Sequence, residues 1–209
     1  MGISERKERD KQELRQRIID AAKDIFIEQG FEKASIRAIA ERIEYSPATI
    51  YLHFKDKDEL LHAIHELGFL QLAALKKDLT SIQDGFEQLT QRAKIYLQFA
   101  IDNPEMYGLM FIQDAPMEAI KKCKEDDEWD CGMEVFEGLV QNLVLCIKQG
   151  LIPDTEVHVL AMTVWSYIHG MASLYIKGRF FMFESKGLAI HQMIDASFKV
   201  MLNSLKLNK

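Results

Sequence analysis

The side chains best suited to chemistry lie in one short segment, residues 46–55. Its hydrogen-bonding and cationic groups are Ser46, Thr49, Tyr51, His53 and Lys55. On a helix these groups face outward while Ile50 and Phe54 face inward, so the segment presents donors and acceptors to a partner. Its N-terminal end also favours phosphate, because the first backbone N–H groups of a helix point outward. The pattern predicts binding to the phosphates and base edges of a nucleic acid.

Two short helices joined by a tight turn must position this segment. Ser35 is a good N-cap for the sequence IRAIAERI, and Ser46 with Pro47 begins the second helix, PATIYLHF. Helices joined so tightly cross at a steep angle and need a preceding helix to cover their apolar faces. Residues 10–29 supply that helix, which ends at Gly30. The arrangement predicts a helix-turn-helix, whose second helix enters a DNA major groove about 12 Å wide.

The rest of the chain also favours helices. Only 11 Gly and 4 Pro occur in 209 residues, about 7% against a usual share near 12%. No segment alternates with a two-residue period, and the 48% of hydrophobic residues excludes a disordered chain. We therefore predict an all-α fold of about nine helices. After the first three they cover about 57–79, 84–103, 104–112, 133–149, 154–176 and 188–205, and the charged stretch 121–130 is expected to be a loop or an exposed helical turn.

Several features indicate a cytoplasmic protein. The N-terminus is charged from the start, so no signal peptide is expected, and the three cysteines form no CxxC pair. Residues 157–176 contain no Asp, Glu, Lys or Arg and are long enough to span a membrane. Because this stretch contains His, Thr, Ser and Gly residues, we interpret it as a helix buried on all sides in a soluble protein or dimer, with no membrane partner.

The segment 17–61, RIIDAAKDIFIEQGFEKASIRAIAERIEYSPATIYLHFKDKDELL, resembles the DNA-binding domain of TetR/AcrR family transcriptional regulators. The shared features are A-x-x-x-F followed by G-F, the S-I-R-x-I-A helix, and the run T-I-Y-x-H-F-x-x-K-x-x-L. The resemblance implies a homodimeric repressor that binds double-stranded operator DNA and leaves a palindromic site when a small molecule binds its C-terminal domain.

By position, the resemblance places base or phosphate contacts on both short helices and on the start of the next one. The expected DNA-binding residues are Ser35, Arg37, Ser46, Pro47, Thr49, Tyr51, His53, Lys55 and Lys57. The turn departs from the family pattern, which has Gly-Val where this chain has Glu44-Tyr45. If Glu44 adopts a positive φ, the strain costs about 1 kcal/mol.

The C-terminal part resembles the ligand domain of a TetR subgroup marked by Trp and then His-Gly. The resemblance covers residues 103–111 and 164–174, and it implies domains at 1–56 and 57–209, with residues 57–79 as the connecting helix and the last two long helices at the dimer interface. The candidate effector-binding residues are Tyr107, Met110, Phe111, Met162, Trp165 and His169. Because residues 157–176 lack charge, we expect an apolar or weakly polar effector.

Two other classes of protein, a metal-dependent enzyme and a structural helical bundle, account for the sequence less well. Glu59 and His62 have the Glu-x-x-His spacing of di-iron bundles, and His62, His65 and Glu66 share a helix face that could bind one metal. No second Glu-x-x-His pair is found, and the sequence contains no HExxH, GxSxG, P-loop or dinucleotide motif. A purely structural bundle leaves the polar second helix unexplained. We therefore expect no enzyme activity, catalytic residue, cofactor or metal.

Overall fold

The computed structural model describes residues 2–113, 130–187 and 189–206, and every regular element within them is helical. The predicted all-α fold is confirmed. The elements are α1 (Ile3–Gln29), α2 (Ile36–Arg42), α3 (Pro47–Tyr51), α4 (Lys57–Ala74), a 3₁₀ helix (Lys77–Ser81), α5 (Gly85–Asp102), α6 (Pro104–Phe111), α7 (Asp130–Lys148), α8 (Val157–Ile176), α9 (Phe181–Glu184) and α10 (Ile190–Leu205).

Four elements differ from the sequence prediction. Helix α3 ends at Tyr51 instead of continuing through Phe54. Helix α1 begins at Ile3 rather than near residue 10, since i,i+4 contacts such as Arg9–Glu13 support its charged first turns. Helix α4 ends at Ala74, and the expected continuation to residue 79 is a separate 3₁₀ helix. The short helix α9 was not predicted. The charged stretch expected to be a loop lies outside the described residues up to residue 129.

The chain divides into two compact units. The first unit comprises Met1–Phe69 and Gly108–Trp129, and the second comprises Leu70–Tyr107 and Asp130–Lys209. In the first unit, α1 packs on α2, and α2 packs on α3. The core of this three-helix arrangement is formed by fully buried apolar side chains, among them Ile18, Ala22, Phe26, Ile39, Ile50 and Phe54.

The second unit is built around α5, α7 and α8, which pack against one another. Asp84 caps α5 by accepting a hydrogen bond from the backbone N–H of Glu87, 2.8 Å away. The amphipathic helix α10 buries one residue in every three or four, at Ile190, Ile194, Phe198 and Leu202. This pattern leaves the opposite face of α10 outside the core of the chain.

Helix α8 is long and apolar enough to span a membrane, and it buries only one face within the chain. The buried residues are Ala161, Val164, Ile168 and Ala172. On the other side, Val159 is 65% exposed and Met162 is 50% exposed. The predicted burial on all sides is therefore not found among the residues that the structure describes.

In the turn between α2 and α3, Glu44 adopts the positive φ that the sequence analysis considered. Glu44 has a φ of 63°. The N–H of Tyr45 donates to the carbonyl of Ala40 at 2.9 Å, and the N–H of Glu44 donates to the carbonyl of Glu41 at 3.2 Å. These two bonds form a Schellman motif, which normally has glycine at the left-handed position. The turn thus stores strain at Glu44.

The strain at Glu44 predicts that Glu44→Gly stabilises the protein. Removing the Cβ relieves the left-handed strain, and part of the gain is offset by the greater freedom of glycine in the unfolded chain. We expect the free energy of unfolding, measured by urea titration, to rise by about 0.5–1 kcal/mol. The control Ala38→Gly lies inside α2 and should lower it by about 1 kcal/mol. A loss of stability in Glu44→Gly would contradict the assignment.

Candidate nucleic-acid interface

The N-terminus of α3 is fixed by two hydroxyl groups. Ser46 is the N-cap, and its Oγ accepts a hydrogen bond from the N–H of Thr49 at 3.2 Å. The Oγ of Ser46 also lies 3.0 Å from Oγ1 of Thr49. Pro47 is the first helical residue, where its fixed φ favours the helix. The structure therefore brings three predicted contact residues together at one end of a short helix.

The two faces of α3 and the residues after it differ sharply in exposure. Ile50 and Phe54 are buried in the core, as the sequence predicts. Tyr51 is 56% exposed and Leu52 is 80% exposed, and Lys55 is also exposed. An aromatic ring with a hydroxyl group is therefore held on the outer surface by its buried neighbours.

His53 is half-buried, as are Thr49 and Lys57 among the predicted contact residues. Its Nδ1 atom is buried and has no hydrogen-bond partner among the described residues. Burial lowers the pKa of His53, and the charges of Lys11 and Arg15 lower it further. The imidazole is therefore neutral at pH 7, and it lies beside α1 instead of projecting from the surface.

Cations of α1 surround this region, and sequence reasoning missed them. The guanidinium of Arg15 lies over the ring of Phe54, 4.9 Å from its centroid. The guanidinium of Arg17 lies 5.5 Å from the centroid of Tyr45, and its Nη2 donates to the carbonyl of Ile43 at 3.4 Å. The four-residue spacing of Lys11 and Arg15 was the available signal, but such pairs usually belong to a solvated helix face.

The predicted contacts on α2 are exposed and weakly held. Ser35 caps the helix, its Oγ accepting from the N–H of Ala38 at 3.1 Å. The Nε of Arg37 donates to Glu41 at 2.9 Å, and both side chains are largely exposed. An exposed i,i+4 ion pair contributes only about 0.3–0.5 kcal/mol, so Arg37 is free to exchange this partner for DNA.

Lys57 makes contacts inside the protein that the sequence did not indicate. Its ammonium group donates to the carbonyls of Phe31 at 2.6 Å, Ala34 at 3.2 Å and Glu32 at 3.4 Å. It also lies 4.2 Å from the centroid of the Phe31 ring. Three acceptors satisfy the three donors of an ammonium group. The phosphate contact predicted for Lys57 stays a prediction, and the geometry gives this side chain a structural role.

Two of the candidate metal ligands on α4, Glu59 and His65, have other partners. The carboxylate of Glu59 accepts from the backbone N–H of Lys55, and the N–H of Glu59 donates to the Asp56 side chain at 2.9 Å, so both groups help to fix the start of α4. His65 is buried, and its Nε2 lies 2.9 Å from the carbonyl of Met110. Burial lowers the pKa of His65 to about 4.

The candidate effector residues fall into three groups. Tyr107, Trp165 and His169 lie together in the second unit, where Tyr96 and Ser173 join them. Met110 and Phe111 belong to the first unit, where the ring of Phe111 packs on Phe69 at a centroid distance of 5.3 Å. Met162 lies on the exposed face of α8. The structure thus brings together half of the predicted set.

The group in the second unit, here called the tyrosine–histidine cluster (Tyr96, Tyr107, Trp165, His169 and Ser173), forms one hydrogen-bonded network. Trp165 Nε1 donates to the Tyr96 hydroxyl at 3.3 Å, and the hydroxyls of Tyr96 and Tyr107 are hydrogen-bonded to each other at 3.0 Å. His169 Nδ1 lies 2.7 Å from the Tyr107 hydroxyl and 3.2 Å from the Tyr96 hydroxyl, and His169 Nε2 lies 3.3 Å from Oγ of Ser173.

Burial keeps the tyrosine–histidine cluster uncharged. It raises the pKa of Tyr96 to about 12, raises that of Tyr107, and lowers that of His169. Neutral donors and acceptors in an apolar interior fix the orientation of whatever they bind. Tyr96 escaped the sequence analysis because its spacing on α5 is that of an ordinary core residue.

The cysteines give little support to redox sensing. Cys146 is fully buried on α7, and burial raises the pKa of its thiol to about 11. A thiol with a raised pKa is a poor nucleophile at neutral pH. Cys131 is half-buried, and Cys123 lies outside the described residues.

The structural role of Lys57 predicts that Lys57→Met destabilises the first unit. Three backbone carbonyls would lose a charged donor, which should lower the free energy of unfolding by about 1–2 kcal/mol. The matched control is Lys55→Met, whose side chain is exposed and should change stability by less than about 0.5 kcal/mol. Chemical denaturation followed by circular dichroism measures both. Equal stability of Lys57→Met and the parent protein would instead leave the ammonium free for phosphate.

Comparison with known proteins agrees with this geometry. A family model described as "Bacterial regulatory proteins, tetR family" matches residues 18–64, and one described as "Tetracyclin repressor-like, C-terminal domain" matches residues 89–197. An uncharacterized HTH-type transcriptional regulator of Haemophilus influenzae is 25% identical over 190 residues, covering 90% of this chain and 96% of that one.

Two further matches cover the N-terminal part and the fold. The HTH-type transcriptional regulator UidR of Escherichia coli is 47% identical over 53 residues, which are 25% of this chain and 27% of UidR. The crystal structure of the TetR family regulator PfmR from Thermus thermophilus has a TM-score of 0.65 at 20% identity, covering 92% of this chain and 100% of PfmR. The matching relatives are regulators and not enzymes. The chain therefore belongs to the TetR family of bacterial transcriptional regulators.

Proposed function

We propose that the protein is a cytoplasmic repressor that binds a palindromic operator as a homodimer and dissociates when a small molecule binds its second unit. Residues 1–56 would bind DNA, and residues 57–209 would bind the effector and dimerise. The observation that carries the proposal is the exposed surface of α3. Ser46 and Tyr51 are exposed on it and Thr49 is half-buried, while Ile50 and the following Phe54 are buried beneath.

Local cations, and not net charge, support DNA binding. The chain carries a formal net charge of −6, with 12 Lys and Arg against 13 Asp and Glu in residues 1–60. Lys11, Arg15 and Arg17 lie on the α1 surface beside α3 and its turn. A few placed cations give phosphate contacts with a modest salt dependence, so non-specific affinity should be weak.

The tyrosine–histidine cluster supports effector binding in the second unit. An interior with neutral, oriented donors and acceptors suits an organic molecule with an apolar body and at least one hydrogen-bonding group. Effector binding would favour a conformation of the protein with lower operator affinity. By linkage, the operator must then weaken effector binding by the same factor, typically about 5–150-fold.

Exposed apolar side chains on α8, α9 and α10 support a homodimer. Besides Val159 and Met162, Val200 on α10 is 70% exposed and Phe181 on α9 is 69% exposed. Side chains of this size on neighbouring helices are typical of a surface that a partner covers. A twofold dimer would present two α3 helices about 34–36 Å apart, one turn of DNA.

The operator proposal predicts that substitution of Tyr51 weakens binding to the operator but not to random DNA. Genomic fragments enriched on the purified protein provide the operator, and fluorescence anisotropy measures its dissociation constant. Tyr51→Ala removes an exposed aromatic hydroxyl without disturbing the core, and should weaken operator binding by about 5–100-fold while random DNA is unaffected. Lys11→Met is the contrasting variant, because loss of a phosphate contact weakens all DNA alike and lessens the salt slope by roughly one. Enrichment of no fragment would overturn the proposal.

The dimer proposal predicts that Val200→Glu yields monomers. A carboxylate placed in a buried apolar interface has no partner, so the dimer dissociation constant should rise by at least about tenfold. Sedimentation equilibrium measures the change. Thr155→Glu, in the exposed segment before α8, adds the same charge elsewhere and should leave the dimer intact. A parent protein that is monomeric at micromolar concentration would refute the interface.

A further inference from the structure

Two cations of the second unit are partly buried and have no anionic partner among the described residues. Lys76 follows α4, and Arg92 lies on α5. The Nε of Arg92 donates one long hydrogen bond, 3.4 Å, to Oδ1 of Asn142. The ammonium of Lys76 lies over the face of the Tyr96 ring, 5.6 Å from its centroid. In the part of the chain that the structure describes, no carboxylate forms an ion pair with either cation.

The arrangement is electrostatically unfavourable for an unliganded core. Burial lowers the pKa of Lys76 to about 7, and the charge of Arg92 contributes to the shift. Burial also lowers the pKa of Arg92 to about 10. Two like charges that lose solvent without gaining a counter-ion destabilise the fold, so such a pair usually marks a binding site.

Helix α7 is shaped to hold the guanidinium of Arg92. A Cβ built on Gly138 would lie 3.0 Å from Arg92 Nη1, so a side chain at this position would require the guanidinium to shift by a few tenths of an ångström. Asn142, the hydrogen-bond partner of Arg92, is itself fully buried and is fixed by donating from Nδ2 to the carbonyl of Gly85 at 3.0 Å. The guanidinium is therefore positioned by two residues one turn apart.

Tyr96 joins Lys76 to the tyrosine–histidine cluster. One face of its ring lies under the Lys76 ammonium, while its hydroxyl contacts Tyr107 and Trp165. Phe136 packs edge-on against Trp165 at a centroid distance of 6.2 Å and adds apolar surface. Cationic, neutral polar and aromatic groups thus occur together in one unit.

We propose that Lys76 and Arg92 bind the anionic group of the effector, which is an organic anion with an aromatic or aliphatic body. This proposal rests on the proposed function, since it concerns the effector of that same unit. It also revises the expectation of an apolar or weakly polar effector, which came from residues 157–176 alone. That stretch is one of three packed helices, and the cations come from the other elements.

A matched pair of fluorescent probes tests the charge preference. Anilinonaphthalene sulfonate and N-phenyl-1-naphthylamine share one aromatic body, and only the first carries a negative charge. In the full-length protein, the double variant Lys76→Met with Arg92→Met should weaken sulfonate binding by about tenfold or more, since a charge-assisted contact is lost at each position. Binding of the neutral probe should change by less than about twofold. Unchanged sulfonate binding, or equal weakening of both probes, would overturn the proposal.

Three further variants test whether weaker sulfonate binding comes from Lys76 and Arg92 or from a general change in charge or folding. Lys94→Met removes an exposed cation from the same helix α5 and should leave both probes unaffected. Gly138→Ala displaces the guanidinium without removing charge, and Arg92→Lys keeps the charge. We expect Gly138→Ala to weaken sulfonate binding and Arg92→Lys largely to retain it. If the double variant does not fold by circular dichroism, these two single variants decide the outcome by the same criteria.

Operator binding distinguishes this proposal from the proposed function. Without probe, the folded Lys76→Met, Arg92→Met variant should bind the enriched operator as the parent protein does. If the parent protein binds no operator, the proposed function fails, and the two probes still decide the anion site. If operator binding is intact but the charge preference is absent, the anion site alone is wrong.

Discussion

A helix of five residues has no stability of its own, so everything that α3 presents depends on the burial of Ile50 and Phe54. These two side chains fill the core beneath the helix, and the exposure of Tyr51 and Leu52 is the direct consequence. Two further sets of hydrogen bonds in the first unit help to hold α3 in place. Ser46 fixes the start of α3, and Lys57 ties the beginning of α4 to three backbone carbonyls of residues 31–34.

Two features of the first unit are locally unfavourable: a strained backbone at Glu44 and a buried polar atom of His53. Glu44 adopts a left-handed conformation so that α2 and α3 can meet in a Schellman turn. His53 is kept neutral against the cations of α1, with its Nδ1 unsatisfied among the described residues. The second unit shows a related pattern, because Lys76 and Arg92 are desolvated beside each other. In both units, locally unfavourable features mark the places where we propose that a partner binds.

The sequence was sufficient for elements whose signals are local. Ser35, Ser46 and Pro47 mark helix starts by their own chemistry, and Trp165 and His169 share a helix face because they lie four residues apart. The sequence was insufficient to predict contacts between residues that are distant along the chain. Lys57 bonds to carbonyls 23–26 residues earlier, and backbone carbonyls carry no sequence signal. Tyr96 and Arg92 appear as part of an ordinary amphipathic helix until α7 and α8 are packed against them.

The central claim is that a symmetric pair of α3 surfaces recognises DNA. Hydroxyl-radical footprinting of the purified protein on its enriched operator measures this most directly. The account predicts two protected half-sites, related by twofold symmetry, with centres about 10 base pairs apart or a multiple of that spacing. A single protected half-site, or a footprint that Tyr51→Ala leaves unchanged, would contradict it.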